Sequence, residues 1–207
     1  SVFEELDFRA GGGAAVLLGI IAHVAEAGTA PDTEVGLYAR YLELFIRRDW
    51  KPAERALSDP EVAARAAIAS RLAWYMAIGA EAQQAPTTWR TTVTLAEAFA
   101  AIPDHTVELH ELAQHAGLLV PVGSPDTPLQ QSLRWVHRTF HEYLAAVHLA
   151  QQLGRGDTGA LSVVTNAIQQ PSGWLKTLQY LMQLLPPQGR DAVVEAIIEL
   201  RDAGDPG

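Results

Sequence analysis

Apolar side chains recur every three or four residues along most of the chain, which is the spacing of one face of an α-helix. Proline and glycine interrupt this pattern where helices are expected to end. Asp32 or Thr33 is expected to cap the second predicted helix, because a short side-chain oxygen can accept a free N–H of the first turn. Helices are therefore predicted before residue 117 at residues 16–24, 34–50, 61–84, 93–101 and 107–116.

The pattern changes after residue 116. Residues 117–122 are a short apolar run behind a glycine, residues 123–128 are rich in turn formers, and residues 132–137 alternate as in a strand. Two helices followed by strand, loop, strand and another helix is the order of a winged-helix module. We therefore predict a short β-hairpin in this part of the chain.

A further helix is predicted to follow the hairpin. Thr139 and Glu142 have the spacing of a capping box, with Thr139 as the N-cap and Glu142 reaching back to its N–H. This helix is expected to end near Gly154. Three short amphipathic helices are predicted beyond it, at residues 161–168, 174–185 and 192–200.

These elements predict a mainly α fold in three parts. A helical domain is expected over residues 1–85, and a winged-helix domain with a short β-hairpin over residues 86–154. The start of a further helical domain is expected over residues 155–207. Residues 154–157, Gly-Arg-Gly-Asp, form the expected joint between the last two parts.

The composition is that of a globular protein, with 48% hydrophobic and 19% charged residues. The 24 acidic and 15 basic side chains give a formal charge of −9, which argues against non-specific nucleic-acid binding. Without cysteine there is no disulfide, thiol nucleophile or cysteine-ligated zinc.

The most apolar stretch, residues 10–22, is too short to cross about 30 Å of hydrocarbon, so no membrane partner is expected. A reducing cytoplasm is the expected location, and the first residue, Ser rather than Met, suggests a segment of a longer chain.

The residues that could carry catalysis or bind a metal do not form known motifs. Gly11-Gly12-Gly13 is followed by no Lys-Ser or Lys-Thr, which favours a flexible joint over a P-loop. Ser124 lies in a proline-rich turn without the Gly-x-Ser-x-Gly elbow. His137, His141 and His148 share one stretch, but without His-Glu-x-x-His they are expected to be solvated or packing residues rather than zinc ligands. We therefore expect no catalytic residue and no metal ligand in this chain.

The winged-helix prediction raises DNA binding as an alternative. The helix before the hairpin would be the recognition helix, and residues 106–115 include two Glu and no Lys or Arg. Such a helix opposes a phosphate backbone, which favours a structural or intramolecular winged helix. The competing function class is a stand-alone helical interaction module or a winged-helix transcription regulator.

Residues 135–146 carry a recognisable string, Trp-Val-His-Arg-Thr-Phe-His-Glu-Tyr-Leu-Ala-Ala. It resembles Phe-x-His-x-x-Phe-Gln-Glu-Phe/Tyr-x-Ala-Ala from the winged-helix part of NACHT-type STAND NTPases. These are multidomain ATP switches of innate immunity and of bacterial defence and regulation, including the bacterial NLR-like proteins. Residues 16–18 with 37–42 are similar to the helical domain that follows the nucleotide-binding core in that family, and residues 174–185 to helices beyond its winged helix.

The resemblance implies a role for His137. In this family the matching histidine contacts the β-phosphate of bound ADP and holds the closed, inactive state. His137 lies just before a predicted helix start, where free N–H groups and the helix dipole favour an anion. From spacing alone, the alternative is a histidine that bonds a loop carbonyl at the end of the hairpin.

The resemblance further implies a regulatory segment of an ATP/ADP switch that is not catalytic by itself. Its ADP or ATP would be shared with a nucleotide-binding core of the parent chain, which lies outside these residues together with its P-loop. Oligomerisation on activation is a further partner interaction that the resemblance implies. Ala15 stands where members usually have a proline that packs near the adenine, and His141 stands where they have glutamine.

Overall fold

The architecture is mainly helical with one small antiparallel sheet, as the sequence predicts. The computed structural model describes residues 19, 22, 24–26, 28, 31–47, 57–79, 89–115, 117–124, 126–169 and 171–204. Its elements in chain order are α1 (Glu34–Arg47), α2 (Asp59–Ile78), β1 (Val93–Thr94), α3 (Leu95–Ala101), α4 (Thr106–His115), β2 (Leu119–Val122), β3 (Ser132–Trp135), α5 (Arg138–Gly154), α6 (Thr158–Gln169), α7 (Leu175–Leu184) and α8 (Pro187–Gly204). Single 3₁₀ turns lie at Pro103–His105 and Pro128–Gln130.

The three strands form a sheet in the order β1-β3-β2. β2 pairs with β3 from Leu119 opposite Trp135 to Val122 opposite Ser132, which confirms the predicted hairpin. β1 pairs with the other edge of β3. The series α2, β1, α3, α4, β2, β3 is the element order of a winged helix, and α2 packs against both α4 and α5. The domain boundaries at residues 85 and 154 stay predictions.

β1 is the element that the sequence analysis missed. The helix predicted over residues 93–101 begins at Leu95 instead, because Thr94 is its N-cap. Thr94 Oγ1 accepts the Glu97 N–H at 3.1 Å, and the Glu97 carboxylate accepts the Thr94 N–H at 2.8 Å. This capping box fixes the start of α3 and leaves Val93 and Thr94 extended, where they pair with β3.

The two helices before the sheet start on their own capping groups. Thr33, rather than Asp32, is the residue whose hydroxyl accepts a first-turn N–H of α1, from Gly36 at 3.1 Å. α2 begins two residues earlier than predicted, with the Ser58 N–H bonded to the Glu61 carboxylate at 2.9 Å. Pro60 fits into its first turn because N–H groups there have no partner within the helix. The prediction that the second of these helices runs to residue 84 is wrong: α2 ends at Ile78, and Gly79 is its C-cap with a left-handed φ of 79°. The predicted end of the first at residue 50, and most of the helix predicted over residues 16–24, lie outside the described residues.

A cluster of aromatic rings joins α1, α5 and α7. Tyr38 lies at its centre with 1% of its surface exposed. Its ring meets Phe140 edge-on at 5.3 Å, stacks on Tyr143 at 5.5 Å and meets Tyr180 at 5.6 Å between centroids. Such pairs add to the free energy of burial, so this cluster fixes α1 against the later helices.

A polar contact supports the same junction at the first turn of α1. The Glu34 carboxylate accepts a hydrogen bond from the Tyr180 hydroxyl and one from the Lys176 ammonium group, both at 2.8 Å. The two donors lie on α7, far along the chain from Glu34. α1 is therefore attached to α7 by both ring packing and charge.

None of the helices that the structure describes is long and apolar enough to cross a lipid bilayer.

Replacing Tyr38 tests whether this cluster holds the fold together. Tyr38→Leu removes three ring contacts in a fully buried site, so the free energy of unfolding is expected to fall by about 2 kcal/mol or more. Urea unfolding followed by circular dichroism measures it. Tyr75→Leu is the matched control: Tyr75 is half-buried, and its substitution should cost less than about 1 kcal/mol. Equal losses in the two variants would contradict the assignment.

Candidate functional site

His137 is the N-cap of α5. It follows the end of β3, has an extended backbone (φ −146°, ψ 149°) and is half-buried. Its Nδ1 accepts the Thr139 N–H at 3.2 Å and lies 2.9 Å from the Thr139 hydroxyl. The residue that the sequence singled out for phosphate contact therefore lies at the start of a helix and directly after the hairpin, as expected.

The capping box predicted at Thr139 and Glu142 is wrong. α5 begins at Arg138, so Thr139 is already in its first turn. Nδ1 of histidine is as many bonds from the backbone as Oδ1 of asparagine, and the imidazole therefore reaches the same first-turn N–H. The Glu142 carboxylate is buried and accepts a hydrogen bond from Arg138 Nε at 2.8 Å. Burial raises the pKa of Glu142 against the opposing effect of Arg138.

The cap determines which ring nitrogen of His137 carries the proton. Nδ1 uses its lone pair to accept a backbone N–H, so in the neutral ring the proton is on Nε2. Burial lowers the pKa of His137, which favours this neutral form. Among the described residues no acceptor lies within hydrogen-bond distance of Nε2, and no loop carbonyl bonds the ring. His137 therefore presents one N–H donor beside the positive end of the α5 dipole.

The other two histidines of this stretch are core residues. His141 is 4% exposed, and its Nε2 donates to the Ala73 carbonyl of α2 at 2.9 Å. His148 is 9% exposed, lies beside the Trp74 ring, and its Nε2 is 3.1 Å from the Gln152 side-chain amide. Within the described part of the chain no three His, Asp or Glu side chains converge to hold a metal ion. The three histidines have separate partners and do not form one site.

α4 occupies the position of a recognition helix without the chemistry of one. Glu111 forms an ion pair with Arg65 of α2, so one of its two carboxylates holds α4 to the neighbouring helix. Val107 is the most exposed large apolar side chain of this helix, at 68%. Residues 106–115 include no Lys or Arg, so this helix offers no permanent cation for a phosphate backbone.

Sequence reasoning missed a cavity of about 480 Å³ beside the start of α5. Its walls come from the segment before β1, from β3 and α5, and from the connection between α6 and α7. Its aromatic and basic lining side chains are Trp89, Arg90, Arg134, Trp135, Arg138 and His141. The basic residues at positions 134 and 138 were the available signal in the sequence. The other lining residues, at positions 89–91 and 172–173, lie far from them along the chain.

Comparison with known proteins adds no family assignment. The chain matches no protein-family model, and no curated protein matches it.

The buried histidines predict loss of stability in acid. Burial lowers the pKa of His141 and of His148 from 6.5 to about 4. For His141 the hydrogen bond to Ala73 opposes this shift, and Arg138 adds slightly to it. Arg71 and Arg155 lower the pKa of His148 further, while Asp157 opposes them. The unfolded chain therefore binds more protons between pH 6.5 and 4, so stability is complete above pH 6.5 and falls as pH falls through this range.

Each histidine should contribute roughly 3 kcal/mol to this loss. His141→Gln keeps an N–H donor for Ala73 and removes the titrating ring, so it should reduce the loss by about half. Urea unfolding at about pH 7, 5.5 and 4, which covers the range between the two pKa values, measures the effect. His105→Gln is the control, because His105 lies outside the core. An unchanged pH profile in His141→Gln would contradict the prediction.

Proposed function

We propose that this segment is the regulatory lid of a NACHT-type ATP-dependent switch, in which His137 donates its Nε2–H to the β-phosphate of ADP. The ADP would be held by a nucleotide-binding core of the parent protein, and the segment alone would not be catalytic. The observation that supports this most strongly is the cap itself: Nδ1 accepts the Thr139 N–H, which leaves Nε2–H as the ring's donor, without a partner among the described residues.

The electrostatics near His137 suit an anion. The first turn of a helix carries partial positive charge, and an N–H donor at that point gives a phosphate oxygen a defined partner. A bound phosphate would raise the lowered pKa of His137, because a nearby negative charge favours the protonated ring. The cap opposes this effect, since a second proton would have to occupy Nδ1 and displace the Thr139 N–H. The proposed contact therefore uses the neutral ring, with the Nε2 proton as the donor.

The packing supports a lid that moves as one body. His137 caps α5, and this helix contacts α1, α2 and α7. A change at the cap would therefore act on a helix whose side chains from Phe140 to Leu149 are largely buried. In the proposed switch, exchange of ADP for ATP removes the His137 contact, and the winged helix leaves the core together with α1 and α7.

α4 argues against the competing transcription regulator. Glu111 is committed to Arg65, and residues 106–115 carry no Lys or Arg. Electrophoretic mobility shift at physiological salt should show no complex with duplex DNA. A specific complex would favour the regulator over the switch.

Substitutions at His137 separate its donor from its cap. In the parent protein, His137→Asn keeps an oxygen that can cap Thr139, and His137→Asp also caps but places a negative charge against the phosphate. Both variants lose the hydrogen bond from Nε2–H to the charged phosphate. ADP release should therefore be about tenfold faster in His137→Asn and faster still in His137→Asp. Fluorescent-ADP dissociation measures the rate, with His105→Asn as the control.

Two results would contradict the proposal. One is an unchanged ADP release rate in both His137 variants while their folds remain intact by circular dichroism. The other is the absence of a Walker A motif in the reading frame that encodes this segment. Hydrolysis of ATP by the isolated segment would also contradict it, because the chain offers no P-loop.

A further inference from the structure

The cavity beside α5 combines flat aromatic walls with a cationic rim. Trp89 meets the His141 ring at 4.6 Å, and Trp135 stacks on the same ring at 6.0 Å between centroids. Arg90, Arg134 and Arg138 line the same space. A volume of about 480 Å³ is within the range of small-molecule sites. Three guanidinium groups at one cavity are notable in a chain whose formal charge is −9.

The ion pairs around the cavity leave positive charge uncompensated. Arg90 pairs with Glu97 at 2.6 Å, and Arg138 pairs with Glu142 at 2.8 Å. Arg134 is exposed and has no carboxylate partner among the described residues. Each paired guanidinium still has further N–H groups, since arginine carries five. The rim can therefore bind an anion without breaking either ion pair.

The tryptophans give a second, independent indication. The indole N–H groups of Trp89 and Trp135 are buried and have no hydrogen-bond acceptor. The Trp135 side chain as a whole is 6% exposed. A buried donor without an acceptor costs roughly 1–3 kcal/mol, and a ligand oxygen near these walls would remove part of that cost. Both features, the cationic rim and the unpaired donors, point to the same chemistry.

We propose that this cavity binds a small planar aromatic ligand that carries a phosphate or carboxylate group. The ring packs against the tryptophan walls, and the anionic group lies among the three arginines. His137 does not line the cavity, so this site is separate from the phosphate contact proposed above and does not depend on it. The ligand would bridge β3, the start of α5 and the α6–α7 connection.

Isothermal titration at low salt with two anionic probes tests the proposal. The probes are adenosine 5′-monophosphate and naphthalene-2-carboxylate, and their neutral counterparts are adenosine and naphthalene-2-carboxamide. We expect at least one anion to bind with a stoichiometry of one, and its neutral counterpart to bind about tenfold more weakly. Binding of only the nucleotide or only the carboxylate identifies which source of the anionic group the site accepts.

Single substitutions test whether the anion binds in this cavity. Arg134→Ala should weaken the anion about tenfold and leave its neutral counterpart unchanged, because the side chain is exposed and supplies charge rather than packing. Trp135→Phe keeps a flat ring but removes the unpaired N–H, so anion affinity should fall; the smaller buried ring also costs some stability, which urea unfolding measures separately. Arg155→Ala, at the opposite end of α5, is the matched control and should bind as the wild type does.

The proposal fails if neither anion binds at millimolar concentration. It also fails if the Arg134→Ala variant binds both anions as tightly as the wild type, or if the neutral probes bind equally well. Circular dichroism of each variant keeps these outcomes separate from misfolding.

Discussion

One hydrogen bond, from the Thr139 N–H to His137 Nδ1, organises the region on which this account depends. It ends the extended backbone that follows β3 and begins α5. It also places the ring proton on Nε2, so a single contact decides both where the helix starts and what the imidazole can donate. A serine or asparagine could start the helix, but serine could not present an N–H at the same place.

Buried contacts with three neighbouring helices hold α5, and with it the cap, in place. α5 contacts α1, α2 and α7, and the Tyr38 ring of α1 contacts two of its aromatic side chains, Phe140 and Tyr143. His141 adds a hydrogen bond from α5 to the Ala73 carbonyl of α2. Because these contacts are buried, a displacement of the cap would disturb the packing of the neighbouring helices. The lid proposed above requires such coupling.

Much of the fold follows from the periodicity of apolar residues. The helices and the hairpin lie close to where the pattern predicts them, because each buries one regular face. The two-residue strand β1 could not be predicted, since Val93 and Thr94 are too few to show alternation. The start of α5 was also misplaced: Thr94–Glu97 and Thr139–Glu142 have the same spacing. The first pair forms a capping box, whereas the second does not because His137 reaches the N–H and Glu142 turns to Arg138.

The candidate site was predictable only in part. His137 stands out in the sequence because the string around it resembles a family phrase, and its position before a helix follows from the pattern. The cavity could not be found in this way, because its lining residues meet only when the sheet and the late helices pack together; they are residues 89–91, 134, 135, 138, 141, 172 and 173. Tertiary packing, rather than any local motif, brings its arginines and tryptophans to one place.

The protonation state of His137 is the most direct measurement of the central claim. Long-range ¹H–¹⁵N spectra of the histidine rings distinguish the two neutral tautomers, and His137→Asn identifies the signal that belongs to this residue. The account predicts that at neutral pH His137 is the Nε2–H tautomer, with a titration midpoint below the ordinary value of 6.5. A ring protonated at Nδ1, or one that titrates above that value in the nucleotide-free chain, would contradict it.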